Sequence, residues 1–224
     1  DLTLKRLRGL RLPPTQPNAK YHYRVGCFLE KHFAEKSAEL LRAAEHHLLA
    51  TERNARYFMR SFPRALGCLQ KMVRRGEPAQ DSERQALKRL LDRFVSEVEP
   101  YKLVANLPAL IGRLGAPAPL GEFVLAALRR VAHSYPEQSA WWLVSLSRCL
   151  PDELAVQVRK LTGKSGAAAK AFHATYALTE QLIALGKNES LLVNESKARR
   201  AAEPLAAHAE KAYKEGVRVL LPLD

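Results

Sequence analysis

Residues 119–151 read PLGEFVLAALRRVAHSYPEQSAWWLVSLSRCLP, and the pattern within them decides the fold. Phe123, Val124, Ala127, Leu128 and Val131 recur at the spacing that lines one face of a helix, while Arg129 and Arg130 fall off that stripe toward water. Tyr135 precedes a proline and is pushed toward extended geometry. Pro136 suits the first position of a new helix, and Glu137 suits its positive N-terminal end. The stretch therefore predicts two antiparallel helices joined by one tight turn. In the second of them Trp141, Trp142, Val144, Leu146 and Leu150 supply apolar surface on more than one side, which predicts a helix sandwiched between neighbours with both tryptophans in the core.

The same rhythm extends in both directions. Upstream, helices are expected over residues 19–33 and 37–60. Ser61, Phe62 and Pro63 then form a break before a shorter helix to Arg74. Asp81 is placed to cap a helix running to Val98. Pro100 opens another, kinked at Pro108 and ended by Gly115 to Pro119. Downstream, a short helix to Leu161, a break at Gly163 to Gly166, and two long helices over 167–185 and 195–215 complete roughly ten helices. No alternating Val, Ile and Thr run bounded by hairpin turns appears, so the fold class is all-α, an α-solenoid of antiparallel helical hairpins of the TPR or HEAT kind. Residues 1–18, with Pro13, Pro14 and Pro17, read as a connector, 19–216 as the helical-repeat segment, and 217–224 as an extended apolar lead-in.

Composition sets the outer bounds. The chain has 224 residues, 47% hydrophobic and 26% charged, enough to bury a sizeable core. No apolar run reaches the roughly 18 residues that a membrane span requires, and no membrane contact is expected. Cys27, Cys68 and Cys149 are widely spaced and read as buried, reduced thiols. The formal charge of +13 permits contact with nucleic acid or an acidic protein, but the cations are spread over nearly every helix, as on a solvated basic face.

Each feature that invites a chemical reading meets a simpler one. His46 and His47 are adjacent and point to different sides of a helix, which argues against joint metal binding. Gly163, Lys164 and Ser165 imitate a phosphate loop, but Val158 stands where its first glycine belongs and no strand leads in. Glu97 with Glu99, and Asp152 with Glu153, sit at expected helix ends, where capping and dipole effects explain them. No nucleophile elbow, zinc-protease, dinucleotide or kinase-core motif is present. No catalytic, cofactor-binding or metal-binding residue is therefore assigned, and the segment is read as having no enzymatic activity of its own.

Six stretches occur in an order that resembles a known family: AKYHY at 19–23, SFPRAL at 61–66, EPYKLV at 99–104, YPEQSAW at 135–141, LTEQL at 178–182 and VLLPL at 219–223. Together they resemble the C-terminal half of the FAT domain of the phosphatidylinositol 3-kinase-related protein kinases, and within that family the ATR-like checkpoint branch. Tyr135, Pro136, Gln138 and Trp141 match the family's Tyr-Pro-x-Gln-x-x-Trp turn. The short loop after Arg75 and the Cys149 to Asp152 stretch depart from the family pattern.

The resemblance implies a helical collar that supports a kinase domain beyond Asp224, with that domain as partner, a homodimer, and an ATRIP-type adaptor bound elsewhere in the assembly. The whole polypeptide would be a nuclear serine/threonine kinase directed at Ser/Thr-Gln sites, with ATP and Mg held outside this segment. Tyr135, Pro136, Gln138, Trp141 and Trp142 are the expected structural or interface residues, and Arg218, Leu220, Leu221 and Pro222 the expected lead-in. The competing expectation is a free-standing basic helical repeat that binds nucleic acid or an acidic partner. It requires Arg8, Arg24, Arg56, Arg60, Arg74 and Arg75 to line one groove, with Tyr57 or another exposed aromatic ready to stack bases.

Overall fold

The computed structural model describes residues 18–53, 56–74, 81–187 and 195–216. Among them are eleven helices and no strand, so the chain is all-α. They are α1 (Ala19–His32), α2 (Ser37–Arg53), α3 (Phe58–Arg74), α4 (Asp81–Glu97), α5 (Pro100–Val104), α6 (Leu107–Ile111), α7 (Leu120–Ser134), α8 (Pro136–Cys149), α9 (Asp152–Leu161), α10 (Ala167–Gly186) and α11 (Glu195–Lys214). The chain divides into two compact units, residues 1–102 with 116–120, and residues 103–115 with 121–224.

In the first unit α1 packs on α2, α2 on α3, and α2 also touches α4. Asn18 starts α1, its Oδ1 accepting the Tyr21 N–H at 2.9 Å. The core is drawn from one face of each helix: Leu29, then Leu40, Ala44 and Leu48, then Phe62, Leu66 and Leu69, with Leu91 and Phe94 from α4. The rings of Phe62 and Phe94 stack with centroids 5.5 Å apart. Lys102, only 3% exposed, donates to the Glu52 carbonyl at 2.7 Å and pairs with the Glu99 carboxylate at 2.6 Å. That carbonyl lies in the last turn of α2, where the helix itself supplies no partner, so the lysine serves as a side-chain cap.

In the second unit α8 packs against both α9 and α10, and α10 against α11. The buried face of α8 is Ser139, Ala140, Leu143, Val144 and Ser147. Its two serines satisfy themselves locally, Ser139 Oγ donating to the Tyr135 carbonyl and Ser147 Oγ to the Val144 carbonyl, each at 2.8 Å. Arg159 reaches from α9 to the Ser147 carbonyl at 3.1 Å, and Arg148 pairs with Glu180 of α10.

The expected helices over 119–151 are present, with Tyr135 alone between them, and the α7 stripe Phe123, Val124, Ala127, Leu128 and Val131 is buried as read. Four local expectations need correction. Trp141 is half-buried and Trp142 is 45% exposed, so the pair is not core. The 100° step per residue carries positions 141 and 142 off the 139/140/143/144/147 face that smaller residues occupy. Pro63 does not break a helix but sits inside α3, as its sixth residue; the break falls before Phe58. The carbonyl that Pro63 cannot serve belongs to Met59, an exposed residue open to water.

Pro108 does not kink one long helix, because two short helices flank Asn106, and the proline lies in the first turn of the second, where its missing N–H costs nothing. Of the three free cysteines only Cys68 is buried; Cys27 is half-buried, and Cys149, the last residue of α8, is exposed. The expected connector before Asn18 and the lead-in over 217–224, with Arg218, Leu220, Leu221 and Pro222, lie outside the described residues.

Candidate metal centre

Three consecutive helices of the first unit each turn one ligand-type side chain toward a common point: Glu30 from α1, His47 from α2 and Cys68 from α3. One ligand atom from each lies within 4.8 Å of the other two. The close approach of α1 to the imidazole depends on Gly26. A Cβ built there would stand 2.8–2.9 Å from three atoms of the His47 ring, inside any real van der Waals contact. A glycine in a helix interior costs about 1 kcal/mol relative to alanine. Here the missing side chain is the space that the ring fills.

His47 is 0% exposed, and neither ring nitrogen has a hydrogen-bond partner. Its Nε2 lies 3.5 Å from Glu30 Oε2, at the edge of contact. Burial pulls the imidazole pKa down to about 4, against the opposing pull of the Glu30 carboxylate. Burial likewise pushes the Cys68 thiol up to about 12, with Glu30 adding to the rise. Both groups are thus held neutral.

The carboxylate faces two cations. Arg64 donates to Glu30 Oε2 at 3.0 Å and to Cys27 Sγ at 3.4 Å, and Lys71 Nζ stands 3.9 Å from Oε1. The Glu30 side chain is 22% exposed and forms the solvent-facing side of the cluster. A carboxylate, an imidazole and a thiol are together the donor set of a borderline-soft divalent ion such as zinc.

The neighbouring histidine faces elsewhere. His46 Nδ1 lies 2.9 Å from His22 Nδ1, so one ring donates and the other accepts. Burial lowers the pKa of both, and that of His22, which the charges of His46 and Arg53 also lower, falls to about 4. His46 and His47 are thus separated as their adjacency implied, but His47 belongs to a cluster that the sequence did not bring to notice.

The expected interface residues gather at the start of α8. Tyr135 is its N-terminal flanking residue and Pro136 its first; both are half-buried, and Gln138 is exposed beside Trp142 on the outer surface. Tyr57 is half-buried with its ring 5.3 Å from that of Tyr23, so it offers no open platform for a base. Arg24, Arg56, Arg60 and Arg74 are exposed; Arg8 and Arg75 lie outside the described residues. The second unit holds a groove of about 550 Å³ lined by Lys164, Lys170, His173, His208 and Lys211 with Glu215. Among the described residues no helix is long and apolar enough to cross a membrane. No family model, curated protein or solved structure matches the chain.

Proposed function

We propose that the chain is a helical scaffold segment of an ATR-like serine/threonine kinase of the phosphatidylinositol 3-kinase-related family, built as an α-solenoid of hairpins. It supports the kinase domain of the same polypeptide and the assembly of a homodimer, in the nucleus, under DNA damage and replication stress. An ATRIP-type adaptor binds other parts of the assembly, and ATP and Mg belong to the kinase domain. The segment contributes positioning and no chemistry to phosphoryl transfer.

The observation that carries this reading is the way consecutive helices use one another as neighbours. α1 packs on α2 and α2 on α3 in one unit, and α8 on α9 and α10 on α11 in the other, with α8 also packed on α10 and α2 touching α4. Helical-repeat scaffolds are assembled from such nearest-neighbour packing. The six ordered stretches add the family, and Trp142 adds a surface. A tryptophan 45% exposed on a helix whose other face is core is the kind of anchor that partner surfaces use.

The test is phosphorylation of a Ser-Gln peptide by the chain extended through its downstream coding sequence, compared with the chain itself. Activity is expected only in the extended form. Trp142→Ala is expected to reduce it severalfold while leaving the helical circular dichroism unchanged. A downstream sequence that encodes no kinase motifs would end the proposal.

A further inference from the structure

We propose that Glu30, His47 and Cys68 form a binding site for one zinc ion, a structural tie across the first three helices. The inference stands on two independent observations. Three different ligand types, one from each of three packed helices, converge within 4.8 Å. One of them is a fully buried imidazole whose Nδ1 has no hydrogen-bond partner and whose Nε2 has only the 3.5 Å approach of Glu30 Oε2. A buried polar group without a partner carries a desolvation cost of about 1–3 kcal/mol, and native structures rarely leave one so. A bound cation removes that cost at one ring nitrogen.

The chemistry of the set selects the ion. Thiolate and imidazole exclude magnesium and calcium, which take oxygen ligands, and three protein ligands leave the fourth tetrahedral position to water. Zinc bonds of about 2.0–2.3 Å hold neighbouring ligand atoms about 3.3–3.7 Å apart. Closing on the ion therefore asks about 1 Å of side-chain movement from the present spacing. Binding replaces the Cys68 S–H bond by a Zn–S bond and sends that proton to solvent. Zinc, thiolate and Glu30 carboxylate then sum to zero charge beside neutral His47.

The surrounding groups fit the role. Arg64, at 3.0 Å from Glu30 Oε2, is the kind of outer hydrogen bond that orients a ligating carboxylate. Lys71, the other cation facing Glu30, is 3.9 Å away with an exposed side chain free to turn outward. Entry is by way of the Glu30 side, where the cluster reaches solvent.

Cobalt(II) titrated into the 224-residue chain, stripped of metal beforehand, provides the test. One equivalent is expected to bind with a thiolate-to-cobalt charge-transfer band and to be displaced by zinc. Cys68→Ala abolishes the band, whereas Cys27→Ala and Cys149→Ala retain it. Glu30→Gln weakens cobalt binding by about tenfold or more while leaving the helical content unchanged. Absence of a band, a band that survives Cys68→Ala, or wild-type affinity in Glu30→Gln would overturn the site. If Cys68→Ala fails to fold, Glu30→Gln, a change at a partly exposed side chain, decides alone.

Discussion

Gly26 shows how one absent side chain can fix a site. Replacing it with alanine gains up to about 1 kcal/mol of helix propensity, yet drives a methyl group into the His47 ring. The ring is fully enclosed and has no free end to swing aside, so overpacking of about 1–3 kcal/mol dominates. Gly26→Ala is therefore expected to lose on the order of 1–2 kcal/mol in urea unfolding, and to weaken cobalt binding by moving the imidazole. A variant at least as stable as the wild type would mean that the ring does not lie against α1. The cluster itself was not legible in the sequence. Glu30, His47 and Cys68 are seventeen and twenty-one residues apart, without the short paired spacing that marks familiar zinc motifs. Only helix packing brings them together. The one local trace was Gly26 itself, a glycine inside an otherwise good helix, which signals a close approach but not what approaches.

At the scale of the element, α8 separates burial from exposure along a single helix. Val144 is fully buried, and Val144→Ala is expected to cost about 1–3 kcal/mol of unfolding free energy. Trp142→Ala, a far larger deletion, is expected to stay within about 0.5 kcal/mol, because nearly half of the ring is already in water. Denaturant midpoints of the two variants check the contrast, and the reverse order would place the tryptophan inside. The α7 stripe and the turn at Tyr135 and Pro136 were legible because period and proline chemistry act within a few residues. Which face of α8 is covered was not, since aromatic size suggested core while the packed face took Ser139, Ala140 and Ser147. Small residues with self-satisfied hydroxyls let neighbouring helices approach, and size alone does not predict that choice. Pro63 was misread for a related reason. A proline near the start of a helix, under an exposed carbonyl, is tolerated, and that tolerance depends on solvent access that periodicity does not report.

For the whole molecule, net charge and the burial of histidine act in the same direction on acidification and can be told apart by salt. With a formal charge of +13, each proton added below neutrality increases self-repulsion in the folded chain. His22 acts differently. It is 5% exposed, and burial, then the charges of His46 and Arg53, hold its folded pKa near 4, whereas in the unfolded chain it titrates near 6.5. Between those values the unfolded state binds more protons, so stability is full above about 6.5, falls as the pH drops, and stops falling below about 4. Each unit of that window is worth about 1.4 kcal/mol at most. Glu52, whose carboxyl is raised chiefly by burial, has the opposite sign, because the folded state holds its proton more tightly. Urea unfolding in the presence of a chelator, at pH 7.5 and pH 5 and at low and high salt, separates these contributions. Salt is expected to relieve the repulsive part, since charges beyond about 8–10 Å are screened, and to leave the burial part intact. The loss that remains at high salt should shrink by on the order of 1–2 kcal/mol in His22→Gln. If high salt erases the whole pH dependence, net charge is its cause and the buried imidazole contributes nothing.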